Sequence, residues 1–318
     1  MAQRIKVLIN AIKDQALNIK TYELVSPDGE PLPPFTPGAH IDFFLPDGLI
    51  RQYSLSNSAQ ERNRYVVGIQ KEEHGRGGSR LIHDQFKVGD AVEISAPRNN
   101  FTLDETAQRY KLIAGGIGIT PIMSMARRLK AIDKPFQLHY ACRNEQRAAF
   151  LEELKSSELS KHVVFSYDDV HGPLNTLVLF GRPEPDVKIY CCGPTGLMDA
   201  VKFATSSWAE GSVRFEHFSA SEDSGPRDDD GSFEIIIQST GRVLKVPADK
   251  SILSVLEENG FFIDHACCEG ICGTCETGMI HGEADHRDMI LTEAEKKENQ
   301  QIMVCCSRAK TPTLTLDL

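Results

Sequence analysis

Nine cysteines occur in the 318 residues, and six of them fall between Cys267 and Cys306. Cys267, Cys272 and Cys275 are spaced C-x₄-C-x₂-C, with Cys305 far downstream. That is the spacing of a plant-type [2Fe-2S] cluster, and it constrains the fold more than any other feature. One loop has to turn three thiolates inward onto a small cluster, while a distant piece of chain delivers the fourth. Gly270 and Gly273 bracket Cys272 and can take the positive φ such a loop needs. The doublets leave the choice of ligands open, because Cys268 stands C-x₃-C from Cys272 and Cys306 adjoins Cys305. A thioredoxin-like Cys272–Cys275 pair and half of a zinc site are the other uses of C-x-x-C. A zinc site usually pairs two such knuckles and the chain has one. A Rieske centre needs His ligands, and no Cys-x-His occurs. An odd cysteine count disfavours a disulfide framework.

The length fits two domains or three small ones. The first hundred residues alternate as short strands, for example Ile41–Leu45, Tyr53–Leu55, Tyr65–Gln70 and Ala91–Ile94, separated by Pro/Gly clusters. That pattern predicts an antiparallel barrel or sandwich. From Tyr110 the texture changes to strands (Tyr110–Ala114, Gln137–Ala141, His162–Ser166, Lys188–Cys192) alternating with helices (Pro121–Ala131, Arg147–Lys155, Gly196–Ser206), which predicts a parallel sheet. Ser219–Ser232 carries five acids, one Arg and no large apolar residue, and reads as a linker. A hairpin (Phe233–Gln238, Arg242–Val246), a helix (Ile252–Asn259), the cysteine loop and a closing strand (Leu314–Leu316) follow.

Two glycine-bearing loops sit where an α/β sheet binds ligands, at strand carboxyl ends. Gly115–Pro121 links a strand to a helix and would let a diphosphate approach backbone N–H groups; a plain strand-to-helix turn is the other reading. Cys191-Cys192-Gly193-Pro194 ends a later strand. In the N-terminal part, Arg51-Gln52-Tyr53-Ser54 offers a guanidinium beside an aromatic ring, and Gly75-Arg76-Gly77-Gly78-Ser79 offers donors to phosphate oxygens.

These segments, in this order, resemble the phthalate dioxygenase reductase family. RQYSLSN, GRGGS, AGGIGITP, YCCGP, ACCEGICGTC, GEADHRDM and CCSRA carry the resemblance over nearly the whole chain. It implies a multidomain fold: an antiparallel β-barrel flavin domain over 1–104, an α/β parallel-sheet nucleotide domain over 105–218, a linker over 219–232 and an α+β (β-grasp) ferredoxin domain over 233–318. It implies FMN, NADH and a [2Fe-2S] cluster as cofactors. Arg51, Gln52, Tyr53 and Ser54 would line the flavin, with Ser54 near its reactive nitrogen. Ile69, Gln70 and Lys71 would follow it along the next strand, and Gly75, Arg76, Gly77, Gly78 and Ser79 would hold its phosphate. Gly116, Gly118, Ile119, Thr120 and Pro121 would contact the nicotinamide nucleotide, with Cys192, Gly193 and Pro194 nearby and Cys192 close to the ring. Phe218 would cover the flavin until nicotinamide displaces it; core packing is its other reading. Cluster ligation falls to Cys267, Cys272, Cys275 and, by the family's alignment, Cys305, which leaves Cys268 and Cys306 as non-ligands. His265 flanks the cluster loop.

The resemblance implies an electron relay without a general acid or base, from NADH through flavin and cluster to a Rieske-type oxygenase. Plant-type clusters lie at roughly −400 mV and Rieske centres at about −150 to +300 mV, so that last transfer runs downhill. The oxygenase substrate would be an aromatic carboxylate such as a phthalate. A vanillate- or carnitine-type partner is an alternative, as is a non-enzymatic, metal-stabilised electron-transfer or interaction module. NADH is preferred from the family: Arg143 could meet a 2′-phosphate, but Asp168 and Asp169 would oppose one. A net charge of −10 excludes nucleic acid as a partner. From Phe233 to Leu318 there are fourteen Asp and Glu against eight Lys and Arg, an excess suited to a basic protein partner. A cytoplasmic monomer without membrane association is expected.

Overall fold

A computed structural model describes residues 4–220, 224–225, 227 and 229–318. They form two compact units, Ala2–Glu216 and His217–Leu318. The first unit opens with six antiparallel strands, β1 (Arg4–Ala16), β2 (Ile19–Val25), β3 (His40–Phe44), β4 (Ile50–Ser54), β5 (Tyr65–Gln70) and β6 (Ala91–Ser95), in the order β4-β3-β6-β1-β2-β5. A bridge between Leu55, just past β4, and Val67 on β5 brings the two edges together, so the sheet closes as a barrel. Period-two alternation turns Ile41, Phe43, Tyr65, Val67 and Ile69 into the barrel core.

Five parallel strands follow: β7 (Arg109–Gly115), β8 (Phe136–Cys142), β9 (Val163–Tyr167), β10 (Val187–Cys192) and β11 (Val213–Glu216), in the order β11-β10-β7-β8-β9. After β7 the chain turns to β8 on one side, and β10 lies on the other. The gap between the ends of β7 and β10 is therefore the topological switch point where such sheets bind ligands. The helices of the first unit are α1 (Gly78–Gln85), α2 (Ile119–Ala131), α3 (Leu151–Ser156), α4 (Asp168–His171), α5 (Thr176–Phe180) and α6 (Thr195–Ala204). One apolar cluster gathers around α2 and another around α6.

The helix predicted over Arg147–Lys155 is shorter. Glu145–Arg147 is a single 3-10 turn, and α3 begins only after Phe150, whose φ is 58°. The barrel overrides local propensity here: Gln15 Oε1 accepts from Phe150 N (3.2 Å) and Gln146 O accepts from Leu17 N (2.9 Å). Barrel and parallel sheet thus have separate cores but belong to one unit.

The second unit is a mixed sheet of β12 (Phe233–Ile237), β13 (Val243–Val246), β14 (Glu276–His281), β16 (Gln301–Met303) and β18 (Thr313–Leu316), ordered β13-β12-β18-β14-β16, with a small ladder of β15 (Ala284–Asp285) and β17 (Arg308–Ala309). Helix α7 (Ile252–Glu258) is capped by Ser251, whose hydroxyl accepts from Ser254 N, and it buries Ile252, Leu253, Val255 and Leu256. The parallel pair β12–β18 at the centre, with α7 contributing to the core, is the β-grasp arrangement. Helix α8 (Glu293–Glu298) begins with a reciprocal Thr292–Glu295 capping box.

Of the segment expected to be a linker, 219–232, residues 221–223, 226 and 228 lie outside the described residues. The rest does more than tether. Ser224 Oγ donates to Arg287 O (2.9 Å), Arg287 donates to Gly225 O (3.0 Å) and to Asp230 (2.9 Å), and Arg308 donates to Gly231 O (3.0 Å). Asp230 is buried between Arg287 and Arg308. Hydrogen bonding from Arg287, outweighing burial, pulls its carboxyl from 3.8 to about 2. A depressed folded-state value stabilises above the unfolded pKa and is lost as pH falls through the folded one. The stability of this unit should therefore hold down to about pH 4 and fall toward pH 2. Asp230→Asn should cost about 3 kcal/mol at pH 7 by leaving Arg287 short of a buried partner, and should flatten the acid limb in a chemical-denaturation series.

Candidate functional site

The cysteine loop runs between α7 and β14. Cys267, Cys272, Cys275 and Cys305 are all buried, whereas Cys268 is exposed with φ 56°. Cys267 contacts Cys272 and Cys275 contacts Cys305, while Cys305 also touches its neighbour Cys306. Two thiolates for each iron is what Cys267, Cys272, Cys275 and Cys305 would supply to a two-iron cluster. Among the described residues no three side chains converge as they would around a single metal ion. Cys272 is pulled down to about 5, first by the hydrogen bond from Cys267 and against burial. Cys267 is raised by that same bond and by burial. Cys275 is likewise raised by its bond to Cys305 and by burial.

Backbone N–H groups line the thiol cage. Glu269 N donates to Cys267 Sγ (3.3 Å), and further N–H groups of Ile271, Thr274, Cys305 and Gly270 favour the thiolate forms of Cys267, Cys272, Cys275 and Cys305 respectively. Such donors stabilise an anionic cluster and tune its potential. Gly270 has φ 71°, and a Cβ there would lie 2.6 Å from Cys306 Sγ. Cys306 therefore packs on the inner side of the loop, its Sγ also 3.8 Å from Met303 O.

On the barrel, Arg51 lies across the start of α1. Its Nη2 donates to Arg76 O (2.9 Å), and a Cβ on Gly78 would lie 2.8 Å from its Nε. Gly77, with φ 83°, leaves the first turn of α1 without a side-chain cap. Unpaired helix N–H groups beside a guanidinium suit a phosphate. Ser79 Oγ accepts from Glu72 N (3.0 Å), which closes the Gly75-to-Ser79 loop. Tyr53 packs edge-on against Phe43 at 5.3 Å, and Ser54 is buried opposite His40. Ile69 is wholly in the barrel core, Gln70 bonds Glu72, and Lys71 pairs with Asp84. Gln52 bonds Asp42.

The two nucleotide loops meet backbone to backbone at the switch point. A Cβ on Gly118 would lie 2.3 Å from Cys192 O, and one on Gly193 would lie 2.9 Å from Gly115 Cα. Pro194 closes over Gly115, while Gly116, with φ 52°, faces open space. Ile119, Thr120 and Pro121 open α2, and Thr120 approaches Gly68 of β5, where a Cβ would lie 2.7 Å from its methyl group. Gly68 thus brings barrel and nucleotide loop together, a role sequence reasoning missed. Glu216 was missed as well. It pairs in register with Cys192, one carboxylate oxygen is buried without a partner, and burial raises its pKa to about 8. RFEHF contains it, but only the acid's position on the strand beside Cys192 gives it meaning. Phe218 is 43% exposed and belongs to the second unit.

Family models match residues 235–310 as a 2Fe-2S iron-sulfur cluster binding domain and residues 112–202 as an oxidoreductase NAD-binding domain. The solved structure of phthalate dioxygenase reductase is 42% identical and superposes with a TM-score of 0.73, covering 99% of this chain and 98% of that one. The chain belongs to the phthalate dioxygenase reductase family. A vanillate O-demethylase oxidoreductase of Pseudomonas sp. (strain HR199 / DSM 7063) is 45% identical over 99% of this chain and all of its own. An intact type IV self-sufficient cytochrome P450 monooxygenase matches with a TM-score of 0.91 and 34% identity; it covers 99% of this chain, which spans 41% of that longer one. As a family member the chain is an NADH-dependent oxidoreductase that uses FMN and a [2Fe-2S] cluster, and it serves an oxygenase. The paired thiols, the Arg51–α1 cradle and the glycine loops fit those three groups. Among the described residues no helix is long and apolar enough to cross a membrane.

Proposed function

We propose that this chain is the reductase component of a two-component Rieske non-haem iron oxygenase whose substrate is an aromatic carboxylate. The observation that carries the reading is the grouping of Cys267 with Cys272 and Cys275 with Cys305 in a chain that also holds a nucleotide switch point and an arginine-backed phosphate cradle. When bound, FMN would supply the exchange between a two-electron hydride and single electrons that a one-electron cluster needs. The protein's own part is positioning. Gly118 and Gly193 hold the ends of β7 and β10 close enough for a dinucleotide to lie over both loops, and Arg51 with the N-terminus of α1 neutralises the flavin phosphate. The two-pair thiol cage fixes the cluster with its N–H donors. The molecule acts as a cytoplasmic monomer. Both the phthalate and vanillate relatives are named for aromatic carboxylates, which supports the substrate class.

The test mixes holoprotein, NADH and the oxygenase component of a vanillate demethylase or a phthalate dioxygenase, and measures product formed per NADH consumed. Failure with every Rieske component would leave a diaphorase. NADPH should support turnover at least about tenfold less well than NADH, because Asp168 and Asp169 would repel a 2′-phosphate. Arg51→Ala should weaken FMN retention by roughly 10- to 100-fold, the worth of a charge-assisted contact. Flavin fluorescence on dilution reads this directly.

A further inference from the structure

In the second unit, Gly260–Asp264 leads from α7 into the cysteine loop. Phe261 and Ile263 turn inward against the core, and Arg242 lies over the Phe261 ring at 5.1 Å. Phe262, between them, is turned to solvent and is 91% exposed. Scattered surface Leu or Val needs no explanation, but a whole phenyl ring held out beside a metal-binding loop forgoes the burial that its apolar area favours. Cys268, next to the ligand position Cys267, is exposed on the same loop.

The sequence here is acidic, although Arg242 comes over Phe261 from outside it. From Ser251 to His286 the sequence holds seven carboxylates and no Lys or Arg. Glu258, Glu283 and Asp285 are paired with Lys250, Lys310 and Arg287 from outside the segment. Glu257 and Asp264 flank Phe262 in sequence, and Glu257 reaches His265 at 3.4 Å. An exposed aromatic ring in an acidic surround is the pattern of an interface with an apolar anchor and a steering rim.

We propose that Phe262 anchors the docking surface for the electron acceptor, a redox protein that offers an apolar socket rimmed by Lys or Arg. The inference rests on the reductase reading above and names the surface through which that reading operates. The ring supplies affinity at any ionic strength, whereas Glu257 and Asp264 raise the encounter rate and are screened by salt.

The experiment uses full-length holoprotein with NADH, and as acceptors both cytochrome c, a lysine-rich redox protein, and the oxygenase component that proves active. Phe262→Ala should lower kcat/KM for both acceptors by about tenfold, equally at 20 and 500 mM salt, with Phe262→Leu in between. Glu257→Gln with Asp264→Asn should lower it about fivefold at low salt and not at high salt. In each variant the bleaching of flavin and cluster by NADH alone should match wild type. Unchanged acceptor kinetics in Phe262→Ala would overturn the proposal. So would slowed bleaching without any acceptor, which would assign the ring to the internal transfer. A wild-type protein that NADH does not bleach at all would fail the parent reading, and this one with it.

Discussion

Serine in place of Cys275 is expected to yield a yellow flavoprotein that has lost its cluster and its onward electron flow. Cys275 and Cys305 form one of the two thiol pairs, both buried and each in contact with the other. A serine hydroxyl stays protonated where a thiol would ionise, so one iron would keep a single protein ligand. Removing groups that merely orient a ligand costs about 10- to 100-fold in metal affinity; losing the ligand itself should cost more. Iron per chain should fall to near zero, and NADH–cytochrome c reduction should drop on the order of 100-fold or more. NADH–ferricyanide reduction, which draws on the flavin, should stay within about twofold. Cys272→Ser should behave alike through the Cys267 pair. The doublets give the control. Cys268 is exposed, and Cys306 Sγ is in hydrogen-bonding range of Met303 O and Ser307 Oγ. Their serine variants should keep the iron. Iron retained in Cys305→Ser but lost in Cys306→Ser would reverse the assignment.

The 2Fe-2S domain was legible because its motif is local: three cysteines lie within nine residues, and the glycines that turn the loop lie between them. The strands β5, β7, β8 and β10 were legible because each is a short apolar run bounded by turn residues. What sequence could not supply was whatever depended on a distant partner. The Arg147–Lys155 pattern reads as helix, yet Gln15 and Leu17 hold its first half in a turn. Ser219–Ser232 reads as solvated linker because five acids crowd it, and only Arg287 and Arg308, far down the chain, make Asp230 a buried ion. Gly68 looks like an ordinary strand glycine until Thr120 is placed against it. Glu216 is one acid among many until β11 pairs with β10 and lays it beside Cys192. Local periodicity fixes elements; burial of a polar group is decided by residues that periodicity cannot see.

The nucleotide site offers the second large effect, because two glycines two residues apart should fail in different ways. Gly118 has φ −60°, which any residue adopts, so alanine there meets no backbone strain. It meets atoms instead: the carbonyl oxygen of Cys192 at 2.3 Å, its carbon at 2.5 Å and Gly193 N at 2.8 Å. All three are backbone, fixed by the β7–β10 ladder, and cannot swing aside. Gly118→Ala should push the two loops apart at a cost of about 3 kcal/mol, the upper range for overpacking. Melting of the first unit should fall, and kcat/KM for NADH should drop by roughly 100-fold, since 1.4 kcal/mol is a factor of ten. Gly116 is the converse case. Its φ of 52° costs an alanine about 1–2 kcal/mol, but nothing of the chain lies within 4 Å of the added methyl. The methyl would occupy the space a diphosphate needs to reach the backbone. Gly116→Ala should therefore melt a few degrees below wild type, less far than Gly118→Ala, while KM for NADH rises tenfold or more and kcat changes little. In both variants dithionite should still give the reduced-cluster EPR signal, because the thiol cage belongs to the other unit. Equal melting and equal KM across wild type, Gly116→Ala and Gly118→Ala would mean that NADH does not bind at this junction.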